Sequence, residues 1–323
     1  MSFPLDTSAQ LRKPTATKSQ KNLQKRARRV NYKQQHVERL KALDSPLHKM
    51  YVRADFCSTE IVHEGQNLKT KYCNARCCPV CNSIRTAKMI NGYAPSLDKM
   101  KDPQFVTLTY GQRVPANQVA TRLGEMTKAF RRTLDRMRKQ GIKANGIRKT
   151  EITARATDNT FHVHFHLVAE GLDVSRMILS NWLKSAPEAR KQAQDIRPYD
   201  GGHAELFKYV TKQELEGMSA KNLDTIYQAT YGKRTFQSFG IIRKVSEDIE
   251  TESTDIVDWI EPAEVATLYV WIQEAHDWID LITGQCLSGY NPEHDPPPKT
   301  KKAKRPLHPL PYSIEEFVAV SHA

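Results

Sequence analysis

Long apolar runs are missing from this chain. No stretch approaches the roughly 18 residues needed to span a bilayer, and the N-terminal "MSFPLDTSAQLRKPTATKSQ" lacks the apolar core of a secretory signal. Both absences lead us to expect a cytoplasmic protein with no membrane partner. In that reducing compartment the 6 cysteines read as metal ligands or buried thiols rather than disulfides. Apolar residues make up only 39% of the chain, low for a fully packed globule, so part of the length is expected to be tail. Acidic side chains are in the minority. Against 36 aspartates and glutamates stand 49 lysines and arginines, for a formal net charge of +13. Such a surplus points to a polyanion, most commonly nucleic acid, although a solvated basic surface gives the same count.

Composition divides the chain into five expected parts. Residues 1–48 are basic and poor in apolar and turn-forming residues, and read as a tail able to follow a phosphate backbone. Residues 49–95 hold a cysteine-rich element. Residues 96–245 carry alternating strand and helix patterns and are expected to form the main domain. Residues 246–290 form an acidic segment, with no lysine or arginine between Glu247 and Asp280. The spacing of Trp271, Ala275 and Trp278 predicts an amphipathic helix there, with Cys286 packed at a helix end. Residues 291–323 are proline- and lysine-rich and read as an extended tail.

Within the main part, "FVTLTY" (105–110) is a strand pattern. In 116–139, Val119, Leu123, Met126, Phe130, Leu134 and Met137 form one apolar helical stripe. Arg131, Arg132 and Arg136 lie mostly away from it, facing either DNA or solvent. "IRKTEITA" (147–154) and "HVHFHLVA" (162–169) read as two strands of a hairpin joined by "RATDNT". Helices are expected at 174–184 and 203–213, and a strand pair or strand end at 235–245.

The strand "TFHVHFHLVAE" sets three histidines in strict alternation. His162, His164 and His166 share one face, while Val163, Phe165 and Leu167 share the other and belong on a core. Imidazoles so arranged can converge on one divalent ion. His164 and His166 are the principal pair, since they lead directly into the anchoring "LVA". Glu151 on the preceding strand and His162 compete as third ligand.

A second constellation lies in "ELFKYVTK" (205–212). Helical spacing puts Glu205, Tyr209 and Lys212 on one face, although an ordinary exposed helix would do the same. A phenol is a poor nucleophile until a cation stabilises phenolate. A metal ion can also neutralise charge on a phosphate. Tyrosine, metal and basic groove together describe transesterification of a DNA phosphodiester, giving a 5′-phosphotyrosyl link and a free 3′-hydroxyl.

"YCNARCCPVCN" adds Cys73, Cys77, Cys78 and Cys81, with Cys57 upstream. Cys78-Pro-Val-Cys81 is half of a structural Zn2+ site. Cys57, Cys73, Cys78 and Cys81 supply four sulfurs, with His63 or Cys77 as alternative fourth ligands. A redox pair is the rival reading, without a thioredoxin-like context to support it.

"FVTLTY", "HVHFHLV" and "ELFKYVTK" occur in the order of the three motifs of the HUH endonuclease superfamily. They most resemble those of rolling-circle plasmid replication initiators (Rep proteins) with one tyrosine and a glutamate. The resemblance covers roughly residues 70–245, includes an "R-x-C-P-x-C" stretch at Arg76–Cys81, and departs at Val163, where the family often has proline. It implies an α+β HUH endonuclease fold, with a central antiparallel sheet, flanking helices and a preceding or inserted zinc element. It further implies Tyr209 as nicking nucleophile, Lys212 as supporting cation and Glu205 as the base for terminating hydrolysis. His164 and His166 would hold Mg2+ or Mn2+. Expected partners are single- and double-stranded origin DNA and host helicase and polymerase, with the protein acting as a monomer or as a homodimer. The alternatives are a single-strand HUH transposase and a non-catalytic zinc-dependent DNA-binding protein.

Overall fold

A computed structural model of the chain describes residues 17–207, 217–250, 252–256 and 263–295. Its elements begin with α1 (Lys18–Lys41), α2 (His48–Asp55), β1 (Glu60–Gly65), β2 (Asn67–Lys71) and α3 (Pro79–Leu97). Next come β3 (Pro103–Thr109), α4 (Val119–Lys139), β4 (Gly146–Arg155), β5 (Thr160–Glu170) and α5 (Leu172–Ser185). Then follow β6 (Asp195–Pro198), α6 (His203–Phe207), α7 (Ala220–Thr230) and β7 (Phe236–Phe239). The described chain ends with β8 (Glu252–Ile256), β9 (Ala263–Ile272) and β10 (Asp277–Asp280). The fold is α+β, with two antiparallel sheets rather than a single central one. No described helix is long and apolar enough to cross a membrane.

Backbone contacts divide the chain into two units. The first gathers residues up to Asn31, Ser58–Lys71 and Glu252–Asp295; the second gathers Tyr32–Cys57 and Tyr72–Thr251. These boundaries differ from the linear divisions expected at 48, 95 and 245, because β1 and β2 pair with the C-terminal strands.

The first unit holds the sheet β10-β9-β1-β2-β8. Its C-terminal strands correct the expected acidic helix. Trp271 and Trp278 are directly paired across β9 and β10, with ring centroids 5.0 Å apart in an edge-on arrangement. Their seven-residue separation is a hairpin span that mimics two helical turns. The β-branched and aromatic run "VATLYVWI" favours a strand, and His276 (φ +53°) turns the chain back. Cys286 is exposed beyond β10, bridged to Ile279, and is not at a helix end.

The expected basic tail is also corrected. Lys18–Lys41 is helical and buries Leu23, Ala27, Val30, Val37 and Leu40 at three- and four-residue steps. The stripe was hidden because alanine and a buried Lys33 interrupt its apolar sequence. Residues 1–16 and 296–323 of the expected tails lie outside the described residues.

The second unit is built on the sheet β6-β3-β5-β4-β7. Its apolar face carries Val163, Phe165 and Leu167 of β5 with Val106 and Leu108 of β3. Leu123, Met126 and Phe130 of α4 and Ile178 and Trp182 of α5 cover that face, as the stripe on α4 requires. Each such fully buried large side chain contributes about 1.5–3 kcal/mol from burial. Only α-carbon hydrogens fit at position 146: a Cβ on Gly146 would collide with the Phe239 ring and the Val168 carbonyl. At 235–245 a single strand, β7, forms. The opposite face of the sheet carries the histidines.

Candidate metal centres and active site

Cross-strand register assembles the first centre. On β5, His164 faces Glu151 of β4 and Thr109 of β3, while His166 faces Lys149 and Thr107. Residues directly opposite in an antiparallel ladder share a face, so these side chains all project to one side. Glu151 Oε2 lies 3.0 Å from His166 Nε2 and 3.5 Å from His164 Nε2. One donor atom each from Glu151, His164 and His166 falls within 4.8 Å of the others.

The surrounding side chains set the chemistry of that group. His166 Nδ1 lies 3.2 Å from Thr107 Oγ1, a contact that leaves Nε2 for the centre. Thr109 Oγ1 donates to the Val163 carbonyl, so it accepts from His162 Nε2 at 2.8 Å. His162 is thereby tied to Thr109 and is absent from the converging group. Burial, helped by the neighbouring His164 and Arg113, pushes the His162 pKa down to about 4. Burial also lowers that of His166. Burial works against ionisation of Glu151, but hydrogen bonds from His164 and His166 and the charge of Lys149 outweigh it. Its carboxyl is held well below the usual range. Lys149 Nζ is 3.7 Å from Glu151 Oε2. This lysine was missed in the sequence; the two-residue strand period from Glu151 is the signal that finds it.

A divalent cation fits this donor set. A carboxylate and two imidazoles converge, and the buried His164 Nδ1 has no hydrogen-bond partner. Two histidines and one carboxylate suit Mn2+ and similar divalent ions.

The tyrosine motif is described only at its start. Glu205 lies in α6, whose Leu206 and Phe207 pack with Val168 and Ile147. Val168 shares the face of His164 and His166, so α6 lies on the histidine side of the sheet. Phe207 stacks on Tyr93 of α3 at 5.5 Å, fixing the helix there. Tyr209 and Lys212 lie outside the described residues. Arg131, Arg132 and Arg136 are exposed on α4, which covers the opposite face. They cannot contribute to a groove around the histidines.

The second centre surrounds the start of α3. Cys57 follows α2, Cys73 follows β2, Cys78 caps α3 and Cys81 lies in its first turn. All four are buried, and their sulfurs lie within 4.8 Å of one another. Cys81 Sγ is 3.5 Å from Cys57 Sγ and 3.6 Å from Cys73 Sγ. Sulfurs about 2.3 Å from a tetrahedral Zn2+ would be roughly 3.8 Å apart, so the cluster fits the ion. The Cys73 amide donates to Cys57 Sγ and the Ala75 amide to Cys73 Sγ. Such bonds favour thiolate, as does the helix N-terminus. Neither His63 nor Cys77 belongs to the cluster: His63 is on β1 of the first unit, and burial pushes the Cys77 thiol up. Lys33 donates to the Cys57 carbonyl at 2.8 Å and also to that of Asp55, bringing a buried ammonium beside the thiolates. No local pattern in the sequence marks it, because it lies in the basic N-terminal stretch that reads as a tail.

Fold and site define an α+β protein with a carboxylate–imidazole cluster and a four-cysteine cluster in one unit. The family model described as replication protein matches residues 65–170, from β2 through the histidine strand. A "Protein rep" of Lactiplantibacillus plantarum is 31% identical over 235 residues, covering 61% of this chain and 73% of that protein. A "Protein rep" of Streptococcus pneumoniae serotype 2 is 21% identical over 214 residues, covering 58% and 67%. No solved structure matches the chain. The chain belongs to the Rep replication protein family.

Proposed function

We propose that this chain initiates rolling-circle replication of a bacterial plasmid as an HUH-type endonuclease, nicking one strand of origin DNA and rejoining it at termination. The observation that carries this reading is the convergence of Glu151, His164 and His166 on the sheet face against which α6 packs. That helix leads into the segment holding Tyr209.

In this reading the Tyr209 hydroxyl attacks the scissile phosphorus. Its Oη–P bond forms as the P–O3′ bond breaks, giving a 5′-phosphotyrosyl link and a 3′-hydroxyl that takes up a proton. Lys212 stabilises the phenolate and Glu205 later activates water. Glu151, His164 and His166 would hold Mg2+ or Mn2+, which would neutralise charge on the phosphate oxygens. Thr107 contacts His166 Nδ1 and leaves Nε2 for the centre, while hydrogen bonds from His164 and His166, aided by Lys149, keep Glu151 ionised. Cys57, Cys73, Cys78 and Cys81 hold a structural Zn2+. The protein acts in the cytoplasm on single- and double-stranded origin DNA with host helicase and polymerase, as a monomer or homodimer. The exposed Arg131, Arg132 and Arg136 then contact DNA away from the metal centre.

The test is incubation of the full chain with labelled single-stranded origin DNA and Mn2+. A protein–DNA adduct resistant to denaturation, absent in Tyr209→Phe, supports the reading. DNA binding without adduct would leave a non-catalytic zinc-dependent DNA-binding protein instead.

A further inference from the structure

A cleft of about 300 Å³ opens in the second unit between the cysteine-bearing loop and the link from α7 to β7. None of its lining residues belongs to either metal cluster. Cations dominate the lining: Arg53, Arg76, Lys233, Arg234 and Lys244. Arg76 is already used, pairing with Glu247 at 2.9 Å and donating to the Thr230 carbonyl. Glu247 in turn accepts from the Thr235 and Phe236 amides, so that pair forms a fixed, neutral floor. What remains is Arg53, Lys233, Arg234 and Lys244 against the single carboxylate of Asp248. Arg53, Arg234 and Lys244 have no ion-pair partner among the described residues. All three are exposed.

An aromatic ring stands among these charges. Helix α7 ends at Thr230, and Gly232 (φ +67°) turns the chain before β7. Tyr231, at that corner, is 62% exposed although it is a large ring. It lines this cleft and also a neighbouring depression that holds Lys49. An exposed ring flanked by unpaired cations is the combination that binds single strands: bases stack on the ring while the backbone follows the charge. Duplex DNA offers no free base face to such a ring.

We propose that this cleft is a docking site for unpaired DNA, with Tyr231 stacking on a base and Arg53, Arg234 and Lys244 holding backbone phosphates. The site is separate from the histidine centre and independent of nicking, and it would hold a strand that has left the duplex.

The test uses the full, zinc-loaded chain and a fluorescein-labelled oligothymidylate, without origin sequence or added divalent metal, read by anisotropy. Tyr231→Ala should weaken binding by about 5- to 150-fold, the range for losing one stacked base, and Tyr231→Phe should stay within about twofold. Arg234→Gln and Lys244→Gln should each flatten the slope of log affinity against log salt by about 0.7. A duplex of the same length should bind wild type and Tyr231→Ala alike. Wild-type affinity for the single strand in Tyr231→Ala would overturn the proposal. So would equal losses on single strand and duplex, or unchanged salt slopes in both cation variants.

Discussion

Glu151 and His164 face each other across the β4–β5 ladder, and one carboxylate oxygen reaches both His164 and His166. Glu151 is thus the negative charge of the centre and, in the proposed function, the third ligand beside the two histidines. Glu151→Gln keeps the shape and removes the charge. Changes in groups that merely support metal ligands cost about 10–100-fold in affinity or activity, so loss of this ligand should cost at least that. Nicking rate titrated against Mn2+ checks it. An unshifted curve would return the third-ligand role to His162.

The pH response has a definite sign. His162 is held near a pKa of about 4 by burial, below the ordinary value of 6.5. Its neutral form therefore favours the folded state above pH 6.5, and that contribution is lost as pH falls from 6.5 toward 4. His36, also lowered to about 4 by burial, acts in the same direction. Metal-free protein should melt at progressively lower temperature across this window. In His162→Asn the decline should be shallower but not absent, because His36 still titrates. Identical profiles would show that His162 does not sense the fold.

The histidine strand was legible because alternation alone separates Val163, Phe165 and Leu167 from the imidazoles, and the hairpin places Glu151. The stripe on α4 was equally plain. Legibility failed where pairing is distant in sequence: β1 and β2 join β8 and β9 across some two hundred residues, and no local period reports that. Trp271 and Trp278 gave a false helical period because a hairpin span equalled two turns. Lys33 was invisible for another reason. A lysine reads as surface until the carbonyls and thiolates that hold it are known.

The cysteine cluster separates neighbouring residues sharply. Cys81→Ser should abolish stoichiometric zinc and destabilise the fold, since structural zinc contributes directly to folding free energy. Cys77→Ser should keep its zinc, because Cys77 is buried outside the cluster. Elemental analysis of protein purified without chelators distinguishes them, and zinc loss in both would mean the ligand set is wrong. Lys33→Met should retain zinc at first but release it faster to a chelator, having lost the ammonium beside the thiolates.

Tyr209→Phe tests the nucleophile. Only a hydroxyl is lost, so DNA affinity should change little while cleavage and adduct formation disappear. A filter-binding assay beside a denaturing gel reads both quantities from one preparation. Normal nicking in this variant would remove Tyr209 from the mechanism.

Glu205→Gln tests how replication ends. In the proposed function, attack by Tyr209 would leave the protein joined to the 5′ end while synthesis extends the 3′-hydroxyl. A protein with one such tyrosine needs another nucleophile to terminate, and water activated by a carboxylate supplies it. Glu205 lies in α6, on the histidine side of the sheet, four residues before Tyr209. Helical spacing would set the two one turn apart, within reach of the same phosphate. Glutamine preserves size and shape but cannot take the proton from water. Glu205→Gln should therefore nick and form the adduct at near wild-type rates, yet release few monomer circles and accumulate run-through multimers. Glu205→Tyr should partly restore release by a second transesterification. The ratio of circles to multimers in a replication assay decides the matter. An unchanged ratio in Glu205→Gln would reduce Glu205 to an ordinary helix residue and require termination by another group.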